Sequence, residues 1–83
     1  MQNTADLNRL RWRCRRGTRE LDRLLEDWLR EGFPHDDADG RAAFDALLDA
    51  PDPELWSWLI GQERPDDPRF ARIVDAIRAR HRV

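Results

Sequence analysis

Arginine is the residue type with the most chemical potential in this sequence, and it is concentrated near the amino end. Residues 9–23 hold seven of the fifteen basic residues, all of them arginine. A guanidinium group binds carboxylates and phosphates through parallel hydrogen bonds, so this segment predicts an anionic partner surface. Exclusive use of arginine is also typical of a GC-rich genome. Residues 26–83 carry eight arginines against fourteen acids, a net charge of −6 that would repel nucleic acid.

Other side chains capable of chemistry are few and poorly placed for it. Cys14 shares a helical face with Leu7 and Leu10, where a packed, inert thiol is expected instead of a nucleophile. The histidines His35 and His81 fall in a predicted loop and at a fraying helix end. The sequence contains no Ser-His pairing, no metal-ligand spacing and no glycine-rich phosphate loop. We therefore predict a protein that is not an enzyme, with no catalytic residue and no metal site.

A different group of residues favours protein recognition. Trp12 points away from the apolar stripe of its helix, and an outward tryptophan among arginines is typical of an interface hot spot, although another helix could cover it. Gly17 permits a tight turn or a close backbone approach. Glu20 lies in the first turn of the next helix, where it would complement the helix dipole and pair with Arg16 or Arg23. That structural role alone would account for Glu20, so the spacing leaves both roles open. The candidate partner-binding residues, called here the recognition corner, are Trp12, Arg15, Arg16, Gly17 and Glu20, and we expect Arg16 and Glu20 to be exposed charges that contribute little to folding.

Five helical segments are predicted to position these residues. The first runs from about Thr4 to Arg15, and the second follows Gly17 and ends at Gly32-Phe33-Pro34, where we expect a left-handed Gly32. An acidic loop from His35 to Gly40 precedes a third helix from Arg41 to about Asp49. Asp52-Pro53 and Asp67-Pro68 each predict a capping carboxylate followed by proline, which starts helices four and five. Helix four is expected to stop at Gly61.

The apolar stripes of these helices predict the core. Its expected members are Leu7, Leu10, Cys14, Leu21, Leu24, Leu25, Trp28, Leu29, Phe44, Leu47, Leu48, Leu55, Trp58, Leu59, Phe70, Ile73, Val74 and Ile77. Trp56 lies off the main face of helix four. With 83 residues the chain has room for one modest core. The predicted fold is all-α, a compact five-helix bundle forming a single domain over residues 1–83.

The single cysteine and the composition of residues 1–25 indicate the cellular compartment of the protein. A lone Cys14 excludes an intramolecular disulfide and fits a reducing environment. Residues 1–25 contain no apolar run long enough for a signal sequence or a membrane span, and the acids Asp6, Glu20 and Asp22 argue against a mitochondrial presequence. We expect a cytoplasmic bacterial protein that does not insert into a membrane.

The recognition corner lies within a longer motif. The run Arg11-Trp12-Arg13-Cys14-Arg15-Arg16-Gly17-Thr18-Arg19-Glu20-Leu21-Asp22 resembles the central motif of the small flavinylation factors for succinate dehydrogenase and fumarate reductase. That family is recognised by an Arg-Gly-x-x-Glu core, which maps onto Arg16, Gly17 and Glu20. The resemblance continues through Phe44, Leu47-Leu48 and the run from Asp52 to Leu59. One departure is Trp56, where a smaller aromatic such as Phe is expected.

The resemblance implies a five-helix fold and a transient complex with the flavoprotein subunit of succinate dehydrogenase, with the fumarate reductase flavoprotein as a second candidate client. It implies an assembly factor that promotes covalent attachment of FAD to a histidine of that partner by positioning alone. The Arg-Gly-x-x-Glu corner is expected to face the partner near this histidine. No cofactor is expected to be bound stably, and direct binding of free FAD is left open.

Two other functions compete with this interpretation. The arginines of residues 9–23, with a possible helix-turn-helix at Gly17, would suit a small nucleic-acid-binding regulator, whose affinity should fall steeply with salt. The acidic remainder of the chain argues against it, and we expect no nucleic-acid partner. A toxin-antitoxin component would instead pair with a small protein encoded by a neighbouring gene.

Overall fold

Five α-helices account for most of residues 4–80, the part of the chain that the computed structural model describes, with side chains described from Leu7 onward. They are α1 (Thr4–Arg13), α2 (Arg19–Glu31), α3 (Ala38–Leu47), α4 (Asp52–Leu59) and α5 (Pro68–Arg80), with a 3-10 turn at Phe33–His35 between α2 and α3. Within those residues there is no strand, so the all-α prediction is confirmed. The predicted fraying at His81 and Arg82 lies outside the described residues.

Capping side chains at the helix starts agree with the predictions at one position and differ at two. The carboxylate of Asp37 accepts a hydrogen bond from the Gly40 N–H at 2.7 Å, so α3 begins at Ala38, inside the segment predicted to be an acidic loop. Asp67 behaves as predicted, since its carboxylate accepts from the Arg69 N–H at 2.9 Å. The Asp52 prediction was wrong: Asp52 is the first residue of α4, and its carboxylate caps no backbone group.

Gly32 does not adopt the predicted left-handed conformation. Its φ of −102° and ψ of −42° are right-handed, and its N–H donates to the Trp28 carbonyl at 2.8 Å. A Cβ at this position would lie 2.4 Å from the Trp28 ring, so glycine is required by close packing. The α2 helix ends here because the chain enters the 3-10 turn that contains Pro34.

The core forms where α5 packs against α3 and α4 while α2 lies beside α1 and the 3-10 turn. The rings of Phe33 and Phe44 meet edge to face at its centre, with centroids 5.7 Å apart. Trp28 is buried as predicted, whereas Trp58 and Phe70 are half-buried and pack against each other at the margin, 6.2 Å apart. Both side chains pack against the core, as expected of core-stripe residues, but each keeps part of its surface exposed to solvent.

The predicted core is otherwise confirmed at nearly all its positions. Leu7 and Leu24 are half-buried, and the side chains with at most 1 % exposure include Cys14, Leu21, Leu25, Phe33, Phe44, Leu47, Leu55, Ile73 and Ile77. The Cα radius of gyration is 11.8 Å, the value of a compact chain of this length. Between residues 4 and 80, no helix has the length and apolar character needed to cross a membrane.

Candidate partner-binding site

The turn between α1 and α2 is fixed by the side chain of Asp22, whose role the sequence reading missed. One carboxylate oxygen accepts from the Arg16 N–H at 2.7 Å, and the other accepts from the Gly17 N–H at 3.4 Å. Gly17 has a φ of +91°, a left-handed conformation that disfavours any other residue. Asp22 thus holds the backbone of the recognition corner in one conformation.

Trp12 faces solvent, as predicted from its position on the helix. Its side chain is 71 % exposed, the largest exposure of any large apolar residue in the described part of the chain. The guanidinium of Arg15 lies 5.3 Å from the centroid of the Trp12 ring. The same guanidinium approaches the Glu26 carboxylate at 3.9 Å. A tryptophan left in water with an arginine stacked on it is the kind of surface that proteins bury against a partner.

Glu20 and Gly17 both face solvent. Glu20 lies in the first turn of α2 as predicted, but it forms no ion pair with Arg16 or Arg23. The reason is that the guanidinium of Arg16 is directed toward the loop between α3 and α4. A Cβ built on Gly17 would meet no atom within 4 Å, so a side chain there would project away from the molecule.

Arg16 is the member of the recognition corner that the structure places differently from the prediction. Its side chain is only 15 % exposed, and its Nε donates to the Asp52 carboxylate at 2.7 Å. Its two terminal nitrogens donate to the carbonyls of Leu48 at 2.8 Å, Ala50 at 2.7 Å and Arg13 at 3.1 Å. The expectation of an exposed charge was therefore wrong. Arg16 clamps the corner to the end of α3 and the start of α4.

Arg16 belongs to a set of ion pairs that join α1 and the corner to α3 and α4, called here the ion-pair ladder. Its rungs are Arg9–Asp45 at 3.4 Å, Arg13–Asp49 and Arg16–Asp52, with Arg13 also bonded to Asp45. In each rung the acid follows its arginine by 36 residues. The matching spacing of basic residues at 9, 13 and 16 and acids at 45, 49 and 52 is a signal that the sequence reading did not use.

The ladder changes what the basic segment offers to a partner. Three of its seven arginines are neutralised by aspartates of the same chain, and Arg15 lies near Glu26. Within residues 7–80 the ion pairs do not include Arg11, Arg19 or Arg23, all of which are exposed. The outward-facing positive charge is therefore smaller than the arginine count suggests.

Cys14 is fully buried beneath the corner, as predicted for an inert thiol. Burial, followed by the nearby Glu26 carboxylate, raises the pKa of the Cys14 thiol to about 12. Because the thiolate is the reactive form, native protein at about pH 8 should react with iodoacetamide more slowly than unfolded protein by about a hundredfold or more. Labelling followed by mass spectrometry measures this ratio. Equal rates in the two states would show that the thiol is accessible.

No group of three or more His, Cys, Asp or Glu side chains in the described residues is arranged to hold a metal ion. What the corner presents instead is a fixed turn, an exposed aromatic ring, an arginine stacked on it and a carboxylate. Comparison with known proteins shows to which family the chain belongs. The family model described as "Flavinator of succinate dehydrogenase" matches residues 8–81, which include the whole recognition corner. The chain belongs to this flavinator family.

Individual relatives agree with the family assignment. A protein of Methylococcus capsulatus is 44 % identical over 71 residues, which is 86 % of each chain. A protein of Xylella fastidiosa is 43 % identical over 79 residues, covering 95 % of this chain and 81 % of the relative. One of Coxiella burnetii is 42 % identical over 69 residues, covering 83 % of this chain and 84 % of the relative. All three are named FAD assembly factor SdhE.

Membership in the flavinator family confirms the resemblance read from residues 11–22 and 44–59. The family consists of assembly factors, so the prediction that the chain is an assembly factor and not an enzyme is confirmed.

Proposed function

We propose that this chain promotes covalent attachment of FAD to the flavoprotein subunit of succinate dehydrogenase by binding that subunit transiently through the recognition corner. One observation carries the proposal: in a member of the flavinator family, Trp12 stands 71 % exposed beside a fixed turn at Gly17. An apolar ring of this size exposed on a rigid scaffold gains most when a partner covers it. The fumarate reductase flavoprotein is a second candidate client.

The contribution of the chain to the reaction is positional. The partner's histidine and flavin supply the chemistry, and the corner holds the partner in the conformation that aligns them. A rigid binding surface suits this task because little conformational entropy is lost on binding, and the Asp22 hydrogen bonds and the ion-pair ladder provide that rigidity. The chain acts on the FAD of its partner and binds no cofactor stably. We place this activity in the bacterial cytoplasm, where the free thiol of Cys14 stays reduced.

The identity of the partner is tested by affinity capture of the tagged chain from its native cytoplasm, followed by mass spectrometry. The flavoprotein subunit of succinate dehydrogenase should be the main specific product. Capture of a small protein from a neighbouring gene, with no flavoprotein subunit, would support a toxin-antitoxin pair and contradict the proposal.

Replacing Trp12 with alanine should weaken binding to the purified flavoprotein subunit by about 2 kcal/mol, roughly thirtyfold, because the ring is an exposed anchor. The same change should leave the melting temperature nearly unchanged. Isothermal titration calorimetry gives the affinity. Ile60→Ala is the matched control, since Ile60 is also an exposed apolar residue, 40 % exposed, at the other end of α4 from the corner. An equal loss in both variants would show that the corner is not the anchor.

The ion-pair ladder argues against the nucleic-acid alternative. Arg9, Arg13 and Arg16 already bind aspartates, and releasing them to contact phosphates would break contacts that hold α1 to α3 and α4. We therefore expect no duplex binding in the nanomolar range at about 150 mM salt. Fluorescence anisotropy with labelled duplex DNA measures this. Tight, salt-sensitive binding would favour the regulator.

A further inference from the structure

A shallow groove of about 380 Å³ opens beside the recognition corner, between the first turns of α2 and α4. It is lined by Thr18, Glu20, Leu21, Asp52, Pro53 and Trp56. Leu21 is 1 % exposed and Trp56 is half-buried, so these side chains are held in place by the core. The groove therefore exists before any partner binds, and most of its surface is apolar.

The polar groups at this groove are acidic. Of the six lining residues two are carboxylates and none is basic. Glu20 takes part in none of the ion pairs formed within residues 7–80. One carboxylate oxygen of Asp52 accepts a hydrogen bond from Arg16. Because the Asp52 side chain is 40 % exposed, its second oxygen can accept a further hydrogen bond. An aromatic ring and two carboxylates around one apolar groove attract a cation and repel an anion.

The positive ends of two helix dipoles also point toward this groove, and they would favour an anion. The first turns already contain their own counter-charges, Glu20 and Asp22 in α2 and Asp52 and Glu54 in α4. Arg19 in the first turn of α2 and Arg16 beside Asp52 each offset one of these acids, so each turn keeps a net charge of 1 − 2 = −1, which still exceeds the half charge of its dipole. The net field in the groove is therefore negative.

We propose that this groove receives a lysine or arginine side chain from a surface segment of the flavoprotein subunit. The aliphatic stem of that side chain packs on Pro53 and Trp56, and its charged head reaches Glu20 and the free oxygen of Asp52. The proposal rests on the proposed function and adds to it the chemistry of the partner. It also explains why Trp56 can be larger than the phenylalanine expected at this position, since a wider ring offers more surface to a cation.

Thr18 gives a test that spares the fold. It precedes α2, it is exposed, and its side chain makes no capping hydrogen bond. Thr18→Lys places a positive charge at the rim of the groove, and Thr18→Glu places a negative charge of similar size there. The matched pair Ala42→Lys and Ala42→Glu makes the same changes at an exposed site on α3 outside the groove. Affinity for the purified flavoprotein subunit is measured by calorimetry, and melting is followed by circular dichroism.

Thr18→Lys should weaken binding about tenfold or more, Thr18→Glu should leave affinity within about threefold, and the Ala42 pair should change little. Equal weakening by Lys and Glu at position 18 would show a steric contact with an occupant that is not basic, and would overturn the proposal. No effect of either would show that the groove stays empty, and would also overturn it. In both cases, weaker binding of the flavoprotein subunit by Trp12→Ala would still support the proposed function. Failure of the unsubstituted chain to bind would overturn both.

Discussion

Arg16→Ala should lower the free energy of unfolding by about 3 kcal/mol, the largest loss expected from any single charged side chain of the described chain. The guanidinium donates to three main-chain carbonyls and to the Asp52 carboxylate while being only 15 % exposed. Alanine would leave three acceptors at the junction of α3 and α4 and one at the end of α1 without this donor. In a domain of this size the melting temperature should fall by roughly 15 °C, which a circular dichroism melt detects.

Two variants separate the clamp from general charge effects. Arg23→Ala removes an exposed arginine of α2 that is outside the ion-pair ladder, and it should shift stability by no more than about 0.5 kcal/mol. Arg16→Lys keeps the charge but loses the fork that reaches several acceptors, and its stability should fall between the two alanine variants. Normal melting of Arg16→Ala would contradict the clamp. It would return Arg16 to the role of an exposed contact residue.

Gly17→Arg should abolish detectable binding to the flavoprotein subunit, the largest effect on recognition of any change considered. The Cβ of residue 17 faces open space, so the new side chain clashes with nothing in the free molecule and projects into the proposed interface. The positive φ of +91° adds backbone strain of about 1–2 kcal/mol, which the fold should tolerate. Calorimetry with the purified subunit measures the loss of binding.

Gly17→Ala serves as the control for that strain. It carries the same cost at the positive φ but only a methyl group, so it should melt like Gly17→Arg and retain most of the affinity. If Gly17→Ala binds as weakly as Gly17→Arg, then the partner requires the backbone conformation of Gly17, and the bulk of the new side chain is not the cause of the loss. Normal binding by Gly17→Arg would show that the partner does not approach this turn.

Helical periodicity was sufficient to predict the elements and most of the core. The spacing of Leu21, Leu25, Trp28 and Leu29 predicts α2 because all four fall on one face, and all four are buried. Helix starts were less predictable because polar side chains decide them. Asp37 caps α3 within an acidic run whose composition is typical of a loop. Asp52 was expected to cap α4, but its carboxylate binds Arg16.

The direction of Arg16 could not be predicted from a helical projection. That projection extends α1 to residue 15 or 16, where Arg16 would lie on the outer face near Trp12. The helix ends at Arg13, and the turn fixed by Asp22 redirects the chain, so Arg16 points toward α3 and α4. Trp12 was predictable because it lies inside the regular helix. The shared spacing of 36 residues marks Arg16 and Asp52 as a candidate pair, but only tertiary packing brings the two side chains together.

The central claim is that the exposed part of the recognition corner serves the partner and not the fold. Covalent flavin fluorescence of the flavoprotein subunit, acid-precipitated from cells that carry Trp12→Ala or Glu20→Ala as their only copy of this chain, tests it most directly. Both variants should fold normally, because both side chains are exposed and neither is part of the ion-pair ladder. Most of the fluorescence should be lost in each, whereas cells carrying Arg23→Ala should retain it. Normal covalent flavin in both corner variants would contradict the claim and reduce the corner to a solvated helix junction.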